Sequence, residues 1–294
     1  MKQRLQRTIA RAVSLSGIGF LTGADIELRF EPAPPGHGIA FLRTDRLLAP
    51  PVPALVEYTI PRQRRTAIQR CGVTIEMIEH VMAALAGLQI DNCLVRLDGP
   101  EPPGCDGSSL RFAERLLDAG IAQQDFPRKC LSVSRCVTVR GDDGDQSLVA
   151  TPPADGLTIS YTLDYGADSP IPPQTAACTI TPESFLAELA WSRTFVLEEE
   201  ALALKAQGYG RRTTAKDLLI FNRQGVVDNS LRSDDECARH KILDCLGDVA
   251  LIGCDLAGRL DAYRSGHALN AELVRRLKLA HADEVWPALI SKAA

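Results

Sequence analysis

Two histidines and one aspartate in this sequence have the residue types and the spacing of a metal-ion site. His240 and Asp244 are four residues apart on a predicted helix, so their side chains project from one face, one turn apart. An imidazole nitrogen and a carboxylate oxygen held in this way can bind one cation together, and His80 could supply a third ligand. A hydrogen-bonded pair of His240 and Asp244 without a metal is the simpler alternative, which the spacing leaves open.

Two further ionisable side chains could move protons beside such an ion. Glu79 directly precedes His80, and because neighbouring helix residues point about 100° apart, one can bind the ion while the other leans over a bound water. His267 lies between a predicted strand and a predicted helix, and Asp248 could orient it or hold its positive charge. Zinc lowers the pKa of a bound water from about 15.7 to ~7, after which a carboxylate can accept a proton and a protonated histidine can donate one to a leaving amine. The pattern therefore predicts a metal-dependent hydrolase.

The ligand set does not identify the metal by itself. Two histidines and a carboxylate also bind Fe(II) in oxygenases, so an oxygenase is an alternative. A paired general base and general acid is needed for hydrolysis and has no use in an oxygenase, so Glu79 and His267 favour the hydrolase.

Composition restricts the class of protein. The chain has 294 residues, of which 45% are hydrophobic and 24% charged, and a net charge of −4, which gives no overall attraction to nucleic acid. No segment reaches the ~18 apolar residues of a transmembrane helix, and no apolar core of a signal peptide follows the N-terminus. The nine cysteines are odd in number and form no C-x-x-C pair, which argues against a disulfide framework. We expect a cytoplasmic monomer that acts on a small molecule.

Hydrophobic periodicity predicts two similar halves. The predicted strands are residues 25–30, 39–43, 93–97, 131–140, 157–164 and 256–263, and the predicted helices are residues 74–88, 110–119, 182–189, 234–252 and a last one from 268. Residues 125–129 are predicted to be a linker and residues 198–217 an irregular charged region, with His37 and His281 at the surface. His80 and His240 each lie in a helix that leads into a strand, so an internal duplication would bring them together at a domain interface.

Five segments spread over nearly the whole chain carry a family resemblance. They are residues 79–92 (EHVMAALAGLQIDN), 105–108 (CDGS), 192–195 (SRTF), 240–248 (HKILDCLGD) and 265–270 (SGHALN). In sequence and in order they resemble motifs of the UDP-3-O-acyl-N-acetylglucosamine deacetylase family of lipid A biosynthesis, in which the last four read MDGS, ARTF, HKxLDxxGD and SGHALN. Five motifs in register are far more specific than any one of them.

This resemblance implies a fold, a reaction and a set of roles. The implied fold is α+β, with two related two-layer α/β-sandwich domains from an internal duplication (residues 1–126 and 127–294) and the active site at their interface. An insert near residues 196–221 would build an acyl-chain passage. The implied reaction is hydrolysis of the C2 amide of a UDP-linked acylated sugar, with release of acetate. The implied residues are His80, His240 and Asp244 for Zn²⁺ (or Fe²⁺), Glu79 as general base, His267 as general acid supported by Asp248, Thr194 for the oxyanion, Lys241 for the nucleotide diphosphate and Phe195 for the sugar.

Three positions depart from the family pattern. Leu21 stands where a sugar-contacting histidine is expected, residues 212–214 (RTT) replace a GGS segment, and Ser134 stands where a lysine is expected. Two alternatives therefore stay open: a divergent paralogue that acts on another N-acetylated sugar, and a catalytically silent homologue that binds a lipid or a nucleotide. The complete set of ligands favours a catalytic protein, because buried His and Asp without a metal would be unpaired.

Overall fold

The computed structural model describes residues 4–142, 144–152 and 155–281. The elements of the first half are β1 (Leu5–Ile9), β2 (Val13–Ile18), β3 (Asp25–Pro32), β4 (Ile39–Arg43), β5 (Val52–Pro53), β6 (Thr59–Ile60), β7 (Ala67–Arg70), β8 (Val73–Glu76), α1 (Glu79–Gly87), β9 (Cys93–Leu97), α2 (Leu110–Asp118) and β10 (Ile121–Pro127). Those of the second half are β11 (Cys130–Ser132), β12 (Val137–Arg140), β13 (Ser147–Thr151), β14 (Leu157–Leu163), β15 (Gln174–Thr179), α3 (Pro182–Ser184), β16 (Phe195–Leu197), α4 (Glu198–Ala206), β17 (Leu219–Asn222), β18 (Gly225–Val226), α5 (Glu236–Val249), β19 (Asp255–Tyr263) and α6 (His267–Ala280).

The two halves contain sheets of the same topology. The strand order is β2-β3-β9-β4-β5 in the first and β12-β13-β19-β14-β15 in the second, where β11 also pairs with β19. In each sheet the central strand is antiparallel to one neighbour (β3 or β13) and parallel to the other (β4 or β14). This repeated order confirms the α+β class and the internal duplication.

Helices separate the two sheets. Helix α5 packs against α1, α6, β14 and β15, while α2 packs on β2, and α6 on β12 and β13. The strands bury alternate residues, as β3 shows, which is typical of sheets with one face on the core and one in water. Eight of the nine residues of α1 are buried, because this helix lies in the middle of the molecule with protein on all sides. The faces of α1 and α5 therefore meet at the interface between the halves.

A network of partly buried ion pairs ties the two halves together near the N-terminus. Arg4 forms ion pairs with Asp91 (2.7 Å) in the first half and with Asp255 (2.6 Å) in the second. Arg128, between β10 and β11, joins the same carboxylates at 2.9 Å and 3.1 Å. Asp91 is only 4% exposed, so its charge depends on these arginines for compensation.

The start of the first predicted helix was wrong. Residues 73–76 form strand β8, and Met77 then adopts a positive φ of 56° before α1 begins at Glu79. Ile75 is fully buried on the strand, so its apolar side chain fits a helical spacing without belonging to the helix. Branched residues at positions 73–75 favour a strand, and this local preference prevailed.

Three other boundaries also differ from the predicted ones. The predicted linker at residues 125–129 is strand as far as Pro127, because β10 pairs with β1. The region predicted to be irregular contains helix α4, and the strand predicted at residues 131–140 is divided into β11 and β12. We propose that the domain boundary nevertheless lies at residues 126–127, near the end of β10. Residues 1–3 and 282–294 of the two predicted domains lie outside the described residues.

The insert is a small unit between β15 and α5. It comprises the three-stranded sheet β16-β17-β18 and helix α4. Within the part of the chain that the structure describes, none of the helices is both long and apolar enough to cross a lipid bilayer.

Candidate metal centre and catalytic groups

A glycine allows α1 and α5 to come into backbone contact. A Cβ atom added at Gly247 would lie 2.1 Å from the carbonyl oxygen of Glu79, so no side chain fits at this position. This approach carries His80, the second residue of α1, towards His240 and Asp244 on α5. Residues that are far apart in the sequence thus become neighbours because two helices of the duplicated halves touch.

His80, His240 and Asp244 form a buried cluster that could hold a metal ion. Each residue offers one ligand atom, and these atoms lie within 4.8 Å of one another. The Nε2 atoms of His80 and His240 lie 3.5 Å and 3.4 Å from Oδ1 of Asp244, too far for good hydrogen bonds. Oδ1 of Asp244 is buried and has no hydrogen-bond partner. A buried carboxylate oxygen without a partner is costly, and a cation between the two imidazoles would satisfy it.

Neighbouring groups orient the ligand atoms. Nδ1 of His240 lies 3.1 Å from the carbonyl oxygen of Ser192 and can donate to it, which leaves the Nε2 lone pair for a metal. Burial lowers the pKa of His240 to about 4, so this imidazole is neutral near pH 7. Nζ of Lys241 donates to the other oxygen of Asp244, at 2.8 Å. Burial disfavours the charge of Asp244, but His240 and Lys241 outweigh it and hold the pKa of this carboxyl well below its ordinary value.

Glu79, Asp248 and His267 lie beside the cluster. Nδ1 of His267 is 2.8 Å from Oδ2 of Asp248, which also accepts a hydrogen bond of 2.8 Å from Asn270. Burial opposes the positive charge of His267, but Asp248 and then Glu79 outweigh it and raise the pKa of His267 to about 9. Burial raises the pKa of Glu79, whose charge is coupled to those of His267, His80 and Asp244. His267, paired with Asp248, can thus hold a proton near pH 7, and the carboxylate of Glu79 beside it can accept one.

The segment of Thr194 and Phe195 reaches the cluster from the second half. The Thr194 amide donates to the carbonyl of Gly107 (2.7 Å), and the Phe195 ring lies 6.1 Å from the His240 ring, centroid to centroid. Gly107 has a φ of 80°, which favours glycine, and a Cβ there would also lie 2.8 Å from the carbonyl oxygen of Asp217. The turn at residues 105–108 and the segment at residues 192–195 therefore meet across the two halves.

Three residues without a predicted role, Arg193, Glu236 and Thr66, hold the site together. Arg193 forms a buried bidentate ion pair with Glu236 at the start of α5 (2.8 Å and 3.0 Å), which fixes the segment of Thr194. Thr66 contacts Glu79, Asp248 and His267. Arg193 was inside a recognised motif, but Glu236 and Thr66 carried no sequence signal, because only the fold places them there.

The departures from the family pattern have different surroundings. The amide of Leu21 donates to the buried carboxylate of Glu101, and Arg212 contacts Gly23 in the same loop. Ser134 instead contacts His281 at the end of α6, at 3.1 Å. Two of the three departures therefore meet on one surface.

One of the two histidines predicted to be at the surface is buried. His37 is exposed, as expected. His281 is only 1% exposed, so the prediction for it was wrong. Its Nδ1 lies 3.1 Å from the carbonyl oxygen of Leu277, and its Nε2 accepts from the Ser134 amide. His281 is therefore a buried side chain with both ring nitrogens in hydrogen-bonding contacts, although the neighbouring charged residues in the sequence suggested exposure.

Comparison with known proteins agrees with this arrangement. The family model for UDP-3-O-acyl N-acetylglycosamine deacetylase matches residues 6–279. A UDP-3-O-acyl-N-acetylglucosamine deacetylase of Myxococcus xanthus (strain DK1622) is 40% identical over 274 residues, which cover 92% of this chain and 86% of that protein. Proteins of the same name from Anaeromyxobacter sp. (strain Fw109-5) and Chlamydia caviae are 37% and 38% identical, over 92% and 94% of this chain and 88% and 98% of their own lengths. Since the family model covers nearly the whole chain and these relatives align over most of it, this chain belongs to the UDP-3-O-acyl N-acetylglycosamine deacetylase family.

Proposed function

We propose that this protein is a zinc-dependent deacetylase that hydrolyses the N-acetyl group of a UDP-3-O-acyl-N-acetylglucosamine in lipid A biosynthesis and releases acetate. The observation that carries the proposal is the buried cluster of His80, His240 and Asp244, with one carboxylate oxygen that lacks any hydrogen-bond partner. Family membership supports the substrate, because the relatives are named for this deacetylation. The cytoplasmic location and the monomeric state stay expectations from the sequence.

A zinc ion on these three residues would polarise the amide carbonyl and lower the pKa of water from about 15.7 towards ~7. We assign Glu79 as the general base that takes a proton from the attacking water. Its carboxylate is held by the amide of Thr66 (3.1 Å), and burial raises its pKa, which makes it a better proton acceptor than an exposed glutamate.

We assign His267 as the general acid. With Nδ1 bound to Asp248, the proton for the leaving amine nitrogen would come from Nε2. A pKa of about 9 keeps the imidazole charged at neutral pH, as a general acid requires. Proton transfer to Glu79 and from His267 then balances the reaction. Glu79 takes the proton of the water whose oxygen bonds to the acyl carbon, the C–N bond breaks, and the acetyl group leaves as acetate while His267 protonates the amine nitrogen.

The remaining roles are binding and charge stabilisation. We assign Thr194 to the developing oxyanion and Phe195 to the sugar, since both lie on the segment that reaches His240. Lys241, whose ammonium already contacts Asp244, is assigned to the nucleotide diphosphate. These assignments follow the family motif residue by residue.

A second candidate substrate is supported by one observation. Leu21 offers no polar side chain where the family motif has a histidine, so a different N-acetylated sugar could be accepted. The test is deacetylation of UDP-3-O-(3-hydroxyacyl)-N-acetylglucosamine by the purified protein, with metal content measured on the same sample. Turnover that a chelator abolishes and Zn²⁺ restores would support the main proposal.

Variants and a metal assay separate the alternatives. The Asp244→Ala variant should lose both the bound metal and turnover, because it removes the only carboxylate among the three proposed ligands. Bound zinc without turnover on the UDP-sugar would favour another sugar as the substrate, and turnover restored by Leu21→His would identify Leu21 as the cause. A protein that has no bound metal and no turnover would refute the hydrolase.

A further inference from the structure

Thr66 lies directly before β7, in the first half, but its side-chain and amide contacts come from three helices. It is only 6% exposed. Its amide donates to Oε2 of Glu79 at 3.1 Å, and its carbonyl accepts from the amide of Ile78 at 3.4 Å. Thr66 thus holds both the residue that precedes α1 and the carboxylate of the first residue of α1.

The hydroxyl of Thr66 reaches the other proton-carrying group. It donates a short hydrogen bond to Oδ1 of Asp248 and lies 3.2 Å from Nδ1 of His267. A hydroxyl has one proton, so towards His267 it can only accept. Oδ2 of Asp248 accepts from His267 and Asn270, both at 2.8 Å, so three donors from two halves fix this carboxylate. Asp248 is 1% exposed, and water is a poor substitute for any of them.

We propose that Thr66 is a positioning residue of the deacetylation. Its amide aims the carboxylate of Glu79, and its hydroxyl fixes the Asp248 carboxylate that orients His267. Thr66 is the described residue that hydrogen-bonds to all three, so it sets the base and the acid relative to each other across the domain interface. This inference rests on the proposed function, since base and acid are defined by that reaction.

The alternative is that Thr66 only satisfies buried polar atoms. Thr66→Val separates the two, because valine keeps the shape and the amide but leaves Oδ1 of Asp248 without its donor. Loss of a hydrogen-bonding partner that orients a metal-binding side chain typically costs about 10- to 100-fold in activity, and we expect an effect of the same size for the partner that orients the acid–base pair. We expect kcat to fall about 10- to 100-fold with KM and zinc content unchanged, and Thr66→Ser, which keeps the hydroxyl, to restore most of the rate.

Thr8→Val is the matched control. Thr8 is 7% exposed, and its hydroxyl donates to the carbonyl of Asn92 at 2.7 Å, away from the metal cluster. The Thr8→Val variant should lose about as much stability as Thr66→Val but keep the wild-type kcat. If Thr66→Val does not fold, Thr66→Ala takes its place with the same expectations.

A measurement without turnover distinguishes this inference from the proposed function. The ¹⁵N chemical shifts of the His267 imidazole should change in Thr66→Val, return in Thr66→Ser and stay unchanged in Thr8→Val. If the wild-type protein does not deacetylate the UDP-sugar but the shifts change in this way, the function fails and the positioning stands. Unchanged shifts, or a Thr66→Val variant with wild-type kcat in an active protein, would overturn the role of Thr66.

Discussion

Replacing Gly247 by alanine should separate α1 from α5 and weaken metal binding. The new Cβ would lie 2.1 Å from the Glu79 carbonyl oxygen, about 1.3 Å inside the 3.4 Å at which ordinary van der Waals contact begins. The clash is with backbone, so a helix must move rather than a side chain. Helix propensity alone would make alanine stabilising by roughly 0.5–1 kcal/mol, so the clash and the propensity predict opposite signs.

The magnitude follows from where the ligands lie. His80 is on α1, whereas His240 and Asp244 are on α5, so a movement of about 1 Å changes their separation directly. Metal sites tolerate deviations of only about 0.2 Å in ligand distances. A displacement of this size is typically worth on the order of 10²-fold in turnover. Overpacking of a buried contact also costs roughly 1–3 kcal/mol of stability.

Three measurements test this prediction together: zinc affinity by chelator competition, turnover, and the free energy of unfolding in denaturant. Gly266→Ala is the control, because a Cβ at Gly266 would have nothing within 4 Å and its φ of −137° suits any residue. The control should retain zinc affinity and stability. A Gly247→Ala variant with wild-type zinc affinity and equal or higher stability would refute the argument that the α1–α5 contact sets the metal geometry.

Three further predictions concern charge. Glu79→Gln should keep zinc but lower kcat about 10²- to 10⁴-fold, measured by metal content and steady-state turnover, and retained turnover would remove Glu79 as the base. The pKa of His267 is raised from 6.5 to about 9, so in metal-free protein its stabilising contribution is complete below pH 6.5 and is lost as the pH rises through 9. Asp248→Asn should therefore reduce the difference in unfolding free energy between about pH 6 and about pH 9.5, and an unchanged difference would contradict the ion pair. Asp91→Ala should cost roughly 1–3 kcal/mol in denaturant unfolding, because the Arg7 amide loses its acceptor and the half-buried Arg4 and Arg128 keep Asp255 but lose a second carboxylate. Asp261→Ala, whose partner Arg259 is 49% exposed, should cost less than about 1 kcal/mol.

Local sequence accounts for much of the fold and for the candidate metal ligands. The spacing of four between His240 and Asp244 fixes one face of a helix, so that pair needed no knowledge of the rest of the chain. Strands 39–43 and 93–97 were predicted with their observed bounds, because short runs of apolar and branched residues between turn residues are a local signal. Local patterns failed where a residue fitted both a helix and a strand, as Ile75 did in the predicted start of the first helix. They also failed for α4, although the three glutamates of its first turn suit a helix N-terminus and could have indicated it.

Only the tertiary structure decided which of these residues meet. His80 and Asp244 are far apart in the sequence, and their ligand atoms come together because Gly247 lets two backbones touch. The burial of His281 and the contacts of Thr66 depend in the same way on partners from other elements. The sequence by itself determined the residue types of the site and the helices that carry them. Their distances, burial and pKa values are properties of surroundings that exist only when the two halves pack together.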